Sequence, residues 1–154
     1  MRALAAYALS ASAVALTLLV AGIGTRPQTL WYVNLNKPSW QPDPSIIGIA
    51  WSVIYPIIAI VGGYVLSSTT GRERILWIVT FVVNLILNAA WSWMFFVVEN
   101  PAGAFVEMIP LIISIIAMIV LAWQVAPWAG IVLIPYVLWV SFASYLTLTI
   151  ARLN

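Results

Sequence analysis

The sequence predicts an all-α integral membrane protein, a bundle of five transmembrane helices with a long ordered first loop. Of the 154 residues, 64% are hydrophobic and 6% are charged, and a water-soluble chain of this length could not bury so much apolar surface. The apolar residues also form five stretches, each close to the ~20 residues that cross the ~30 Å hydrocarbon layer as a helix. These stretches are residues 3–24, 45–66, 75–98, 102–123 and 127–151.

The first stretch is expected to be a retained helix rather than a cleaved signal peptide. It is longer than the ~7–15 apolar residues of a usual signal core, and four further stretches follow it. Prolines within the later stretches are compatible with helices, because neighbouring helices in a bilayer satisfy the freed carbonyl groups. Short polar turns predict that consecutive helices pack antiparallel, so residues 1–154 are predicted to form a single domain. The turns are residues 67–74, 99–101 and 124–127.

The charged and reactive residues exclude several classes of function. Six basic residues are scattered without a basic run, which argues against a nucleic-acid surface. They divide three against three between the two membrane faces, so the positive-inside rule leaves the orientation undecided. Cysteine and histidine are absent, which removes disulfides, thiolate catalysis and the usual ligands of haem iron and catalytic zinc. We therefore expect no metal site, no required cofactor and no hydrolytic or metal-dependent activity.

The first loop, residues 25–44, differs from the other connections. Its twenty residues contain four prolines, two tryptophans and one tyrosine, whereas loops longer than ~12–15 residues are uncommon unless they are functional or disordered. Its aromatic content argues against disorder. We favour an ordered lid over one end of the bundle. The alternative is an interfacial segment whose aromatic side chains anchor in the headgroup region.

Unusual side chains gather in the membrane half beneath this loop. Trp51 lies six residues inside the second stretch, ~9 Å deep, and Trp91 has a similar depth in the third. Asn88 and Trp139 lie lower, ~15–18 Å from that face. Because Asn88 and Trp91 share a helical face, their side chains should point inward together. The small Ala143, one turn after Trp139, would leave space beside it. This convergence predicts a ligand pocket.

Three polar residues have alternative interpretations. Asn84 is predicted to bridge two helices through its amide group. For Asn88, the pocket and a helix-bridging role both stay open. Glu107 is expected to be a first-turn acid that the helix dipole favours, with a proton-coupled role as the alternative.

Three motifs resemble those of the TspO/translocator protein family, also called peripheral-type benzodiazepine receptors or tryptophan-rich sensory proteins, of the bacterial type. The loop sequence WYVNLNKPSWQP at residues 31–42 is similar to the family's WYxxLxKPxWxPP, with Asp43 in place of the second proline. NAAWSWMFF at 88–96 is similar to its NxxWxxxFF, and PYVLWVSFA at 135–143 to its PYxxWxxFA. The end of the fifth stretch departs from the family pattern, so sterol binding is not carried over.

The resemblance implies a five-helix bundle, usually a homodimer, in the bacterial cell membrane among lipids. It implies a pocket under the first loop for porphyrins, including haem, and for benzodiazepine-site ligands, with roles in tetrapyrrole transport, sensing or light-dependent breakdown. An ion- or proton-coupled transporter is the alternative. Catalytic residues are not expected, apart from a photochemical role for Trp51 and Trp139. Arg26 and Lys37 are candidates for contacts with ligand carboxylates. The predicted ligand-binding residues are Tyr32, Pro42, Ile47, Trp51, Tyr55, Asn88, Trp91, Phe95, Trp139 and Ala143.

Overall fold

Five helical segments of the computed structural model, which describes residues 2–154, are long and apolar enough to cross a membrane. This confirms the prediction of a five-helix membrane protein. The five spans are Ala3–Gly24, Pro44–Ser68, Gly71–Val97, Pro101–Val125 and Pro127–Leu153. The α-helices are α1 (Arg2–Gly24), α2 (Leu30–Asn34), α3 (Pro44–Ser68), α4 (Gly71–Ser92), α5 (Pro101–Val125), α6 (Pro127–Ile131) and α7 (Ile134–Leu153).

Two spans are less regular than the sequence predicts. The third continues beyond α4 as a π-helix, Trp93–Val97, and the fifth is broken at residues 132–133 between α6 and α7. The turn expected at residues 67–74 is also shorter, since only residues 69–70 separate α3 from α4. Thr69 ends α3, because its backbone N–H and its hydroxyl both donate to the carbonyl of Val65, at 3.1 and 2.7 Å.

The five spans form an open ring in the order α3, α1, α4, α5 and α7, and the ring is open between α3 and α7. The helix α1 packs against α3 and α4, α5 packs against α4 and α7, and α3 and α7 touch each other little. The approach of α1 to α3 depends on small residues. A side chain at Gly62 would overlap the hydroxyl of Ser10 and the ring of Phe81. That close approach allows Ser10 Oγ to donate a 2.8 Å hydrogen bond to the carbonyl of Ala59.

The N-terminus of α3 is fixed by Asp43, which stands where the resemblance would place a proline. Asp43 Oδ1 accepts hydrogen bonds from the hydroxyl and the backbone N–H of Ser45, at 2.7 and 2.9 Å. A carboxylate is a favourable N-cap because it satisfies free N–H groups and interacts well with the helix dipole. Those two hydrogen bonds, the hydroxyl's first, hold the pKa of Asp43 below its usual value.

The first loop is ordered and lies across the end of the bundle. Thr29 caps the short helix α2 by accepting a hydrogen bond from the N–H of Tyr32, at 3.3 Å. Asn36 and Asn154 then join the loop to the end of α7. The N–H of Asn36 donates to Asn154 Oδ1 at 2.9 Å, and Asn154 Nδ2 donates to the carbonyl of Asn36 at 3.0 Å. These reciprocal bonds tie residues 118 positions apart, which fixes the loop on the bundle.

Candidate functional site

A chain of buried hydrogen bonds joins four spans near the middle of the bundle. Tyr55 donates to Asn88 Oδ1 at 2.7 Å, and Asn88 Nδ2 donates to the hydroxyl of Tyr136 at 3.0 Å. Tyr136 donates to Asn84 Oδ1 at 3.2 Å, and Asn84 Nδ2 donates to Ser114 Oγ at 2.9 Å. We call these five residues the polar network. Asn84 therefore bridges helices as predicted.

Above the polar network lies a cavity of about 510 Å³, within the ~300–1,000 Å³ of typical small-molecule sites. All five spans and the first loop contribute to it, and none of its lining residues carries a charge. It is lined by Leu18, Ala21, Gly22, Thr25, Pro27, Tyr32, Gln41, Ile47, Trp51, Tyr55, Asn88, Trp91, Ser92, Phe95, Phe96, Met108, Leu111, Trp139, Val140, Phe142, Ala143, Leu146, Thr147 and Ile150.

Nine of the ten predicted ligand-binding residues line this single cavity, and Pro42 does not. For Asn88, the structure combines the two interpretations, since the residue lines the cavity and also bridges helices. The loop contributes Thr25, Pro27, Tyr32 and Gln41 to the lining, which is the placement expected of a lid. The nine are Tyr32, Ile47, Trp51, Tyr55, Asn88, Trp91, Phe95, Trp139 and Ala143.

The wall on the third span is a continuous aromatic surface. The ring of Trp91 stacks on Phe95 with centroids 5.2 Å apart, and Phe95 meets Phe96 edge to face at 4.9 Å. Tyr32 of the lid contacts Phe96 at 5.2 Å. Both phenylalanines belong to the π-helix Trp93–Val97. Both are buried, so the aromatic surface runs without a break from Trp91 to Phe96.

The opposite wall comes from α3 and α7. Trp51 stacks on Tyr55 with ring centroids 5.1 Å apart, and Trp139 packs against Phe142 at 5.6 Å. Above them, the loop residue Trp40 lies 6.0 Å from the ring of Phe142. Trp51 and Trp139 are each partly exposed. Flat aromatic rings on both sides of an apolar cavity suit a flat aromatic ligand, because offset stacking adds to simple burial.

The side of the cavity formed by α1 was not predicted. Leu18, Ala21 and Gly22 of α1 line it, with Thr25 directly after the helix, but small and aliphatic residues carry no chemical sign of a site. Gly22 has no atom within 4 Å of the position that a side chain would take. The spacing of these four residues along one helical face is the signal that could have found them.

The two predicted carboxylate contacts lie outside the cavity lining. The ammonium group of Lys37 donates to the carbonyl groups of Tyr32, Val33 and Leu35 at the end of α2. It also lies 4.3 Å from the centre of the Tyr32 ring. Lys37 is thus used within the loop. Arg26 is exposed and directly precedes Pro27, which lines the cavity.

Three buried polar atoms of the cavity lining have no hydrogen-bond partner in the described part of the chain. They are the side-chain carbonyl oxygen Oε1 of Gln41 and the indole nitrogens Nε1 of Trp91 and Trp139. Buried polar groups in proteins are nearly always paired. The surrounding side chains cover these three atoms, so the surface that the cavity presents to a bound molecule is mainly apolar.

Comparisons with known proteins place this architecture in a family. The profile of the TspO/MBR family matches residues 8–153. The tryptophan-rich protein TspO of Chlorobaculum tepidum is 32% identical over 130 residues, 84% of this chain and 82% of that protein. Protein CrtK of Rhodobacter capsulatus is 33% identical over 125 residues, 80% of this chain and 78% of that protein. The translocator protein of Homo sapiens is 30% identical over 128 residues, with 80% and 75% covered. The chain therefore belongs to the TspO/MBR family.

Proposed function

We propose that this membrane protein is a receptor for flat aromatic ligands, binding porphyrin-type tetrapyrroles and benzodiazepine-site-like molecules in the cavity under its first loop. The observation that supports this most is the uncharged cavity of about 510 Å³ with aromatic walls on two sides. Such a surface binds by stacking and burial, with a few polar groups fixing orientation. Tetrapyrrole transport, sensing and light-dependent breakdown are the roles that this binding would serve.

Iron coordination is not needed for this binding. The chain has no histidine or cysteine to ligate a haem iron, so recognition would rest on the ring system. The homodimer and the location in a bacterial cell membrane stay predictions from the resemblance.

A proton- or ion-coupled transporter is the second candidate, and one observation favours it. Both carboxylate oxygens of Glu107 in α5 are buried and have no partner in the described structure. Unpaired acidic groups inside a membrane often belong to proton pathways. Uptake of a porphyrin into proteoliposomes driven by a pH gradient, and abolished in Glu107→Gln, would support this candidate over simple binding.

Titration of the purified protein with a free-base porphyrin, followed by tryptophan fluorescence quenching in detergent, tests the proposed receptor. Trp51→Ala and Trp139→Ala should weaken binding, and Trp51→Phe should weaken it less, because stacking on an aromatic ring contributes about 0.5–1.5 kcal/mol beyond burial. Ala143→Leu should block the cavity. Irradiating the complex would reveal porphyrin breakdown if Trp51 and Trp139 support photochemistry.

Two variants serve as matched controls for the loss of an indole and for the added side chain. Trp128→Ala removes an indole that packs on Tyr64, with centroids 4.7 Å apart, outside the cavity lining. Ala15→Leu adds the same bulk on an exposed part of α1. Both should keep the affinity of the parent. If Trp51→Ala, Trp139→Ala and Ala143→Leu also bind porphyrin as the parent does, the proposed receptor site is wrong.

A further inference from the structure

One face of α3 is covered by α1 at the end far from the loop and is uncovered beneath the loop. At the far end, Ser10 of α1 donates a 2.8 Å hydrogen bond to the carbonyl of Ala59, and its hydroxyl fills the place of a side chain at Gly62. Gly48 and Ser52 continue the same face towards the loop, and both are exposed. The residues of this face follow one another at spacings of three or four; they are Gly48, Ser52, Tyr55, Ala59 and Gly62.

The matching face of α1 changes in the same way. Ser10 and Val14 are buried, whereas Leu18 and Gly22, which continue this row at spacings of four, are exposed and line the cavity. The two helices run antiparallel with the same rise per residue. Gly22, twelve residues from Ser10, therefore lies level with Gly48, eleven residues from Ala59. Gly22 belongs to the cavity lining and Gly48 does not.

The space beside these two glycines is empty within residues 2–154. At Gly22 and at Gly48, no neighbouring side chain or helix comes within 4 Å of the position that a side chain would take. The gap between α3 and α7, by contrast, is bridged by aromatic rings, since Trp51 of α3 meets Tyr136 of α7 with centroids 6.3 Å apart. We call the gap between α1 and α3 the side opening; its edges are Leu18, Gly22, Gly48 and Ser52.

We infer that ligands enter the cavity through the side opening, from the hydrocarbon layer and not from water, so that the molecules bound are ones already dissolved in the bilayer. This inference rests on the proposed ligand-binding function of the cavity. The route from water is covered by the lid, which Asn36 and Asn154 tie to α7 by reciprocal hydrogen bonds. A flat apolar ring system partitions into hydrocarbon, and the uncharged lining receives it from there.

The depth of the side opening suits a ligand with polar groups at one edge. Gly48 lies four residues inside α3, which is about 6 Å below the loop face. Polar groups at the edge of the ligand can therefore stay at the membrane surface while the ring moves sideways between α1 and α3.

Filling the side opening tests the inference, and Gly48 is the position to fill because it lies outside the cavity lining. The full-length protein and the series Gly48→Ala, Gly48→Leu and Gly48→Phe are reconstituted in lipid nanodiscs. Binding is followed by stopped-flow quenching of tryptophan fluorescence after mixing with protoporphyrin, a free-base porphyrin. Release is followed after mixing the loaded nanodiscs with an excess of empty lipid vesicles.

We expect the rates of binding and release to fall together with the size of the new side chain, roughly tenfold in Gly48→Phe, because a narrower passage raises the barrier in both directions. The dissociation constant should stay that of the parent. Gly48→Ala, which removes the glycine without filling the gap, should change little. Val53→Phe is the matched control, because it places the same ring on a 54% exposed position of α3 away from the side opening, and it should leave both rates unchanged.

The outcomes separate this inference from the proposed function. If Gly48→Phe binds and releases porphyrin at the rates of the parent, or if Val53→Phe slows both rates as much, the side opening is not the entrance and the receptor site stands. If Gly48→Phe weakens affinity without slowing binding, Gly48 shapes the site, and the inference is again wrong. If the parent shows no quenching at all, the proposed function fails and the inference fails with it. Circular dichroism gives the helical content of each variant, and Gly48→Leu applies the same test with less bulk if Gly48→Phe loses helicity.

Discussion

Removing a single oxygen atom, in Tyr136→Phe, tests whether the polar network holds the floor of the cavity. The hydroxyl of Tyr136 accepts a hydrogen bond from Asn88 at 3.0 Å and donates one to Asn84 at 3.2 Å. The side chain is 1% exposed, so water does not replace these partners. Phenylalanine keeps the ring, including its contact with Trp51 at 6.3 Å. The change therefore isolates the two hydrogen bonds.

The expected loss of stability depends on the number of hydrogen bonds that are lost and on the bonds that Asn84 and Asn88 keep. Side-chain hydrogen bonds in membrane proteins contribute ~0.6 kcal/mol on average and up to ~1.7 kcal/mol, so two of them account for about 1–3 kcal/mol. Asn84 Nδ2 keeps its bond to Ser114, at 2.9 Å, while Asn84 Oδ1 loses its donor. A buried acceptor that is left without a donor moves the expected loss of stability towards the upper end of that range. We expect about 2 kcal/mol.

The free energy of unfolding is measured by titrating the protein in mixed micelles with a denaturing detergent and following helicity. Tyr64→Phe is the matched control, because the hydroxyl of Tyr64 makes no hydrogen bond within the described structure and the residue is only partly buried. If Tyr136→Phe destabilises the protein no more than Tyr64→Phe, the polar network does not hold the four spans together, and the reasoning is refuted.

Three further changes test the lid, a helix cap and a helix contact. Asn154→Ala should raise hydrogen exchange in residues 30–42 without lowering helicity, because it removes the bonds to Asn36; unchanged exchange would mean that the aromatic contacts suffice. In the parent, the melting temperature should fall at acid pH as Asp43 is protonated, and Asp43→Ala should abolish that part of the fall. The pKa of Asp43 is lowered by Ser45, so its cap stabilises the fold above the usual pKa of 3.8 and is lost as the pH falls below it; an unchanged pH profile would contradict this. Gly62→Leu should force α1 away from α3 and lower the melting temperature, as overpacking costs about 1–3 kcal/mol; an unchanged melting temperature would show that the contact is loose.

The sequence predicts the spans well because the bilayer imposes a simple requirement. A helix must be apolar for ~20 residues to cross it, and that length is visible in composition alone. The boundaries differ by a few residues where caps extend the helices. Asp43 starts α3 at Pro44, one residue before the predicted start, and Asn100 starts α5 at Pro101, again one residue earlier.

The aromatic part of the site was also predictable, because tryptophan and asparagine are unusual inside a span and indicate a packing or binding role. Trp51, Asn88 and Trp139 were selected on that ground, and all three line the cavity. The π-helix at Trp93–Val97 was not, because hydrophobic periodicity assumes a constant 3.6 residues per turn. Phe96 was also not selected, because it lies outside the face that Asn88, Trp91 and Phe95 share, although it lines the cavity beside Phe95.

The uncharged lining constrains how a porphyrin with carboxylate side chains would lie in the proposed site. A carboxylate buried without a partner in a membrane is strongly unfavourable, so the propionate groups must stay at the loop edge while the ring enters. An ammonium group has three N–H donors, and Lys37 directs them at three loop carbonyls. Arg26 is exposed beside Pro27 of the lining and has no such engagement through its guanidinium group in the described structure. Of the two basic residues that the sequence proposes for this contact, Arg26 is therefore the one whose N–H donors are free in the described structure, while those of Lys37 bond the loop.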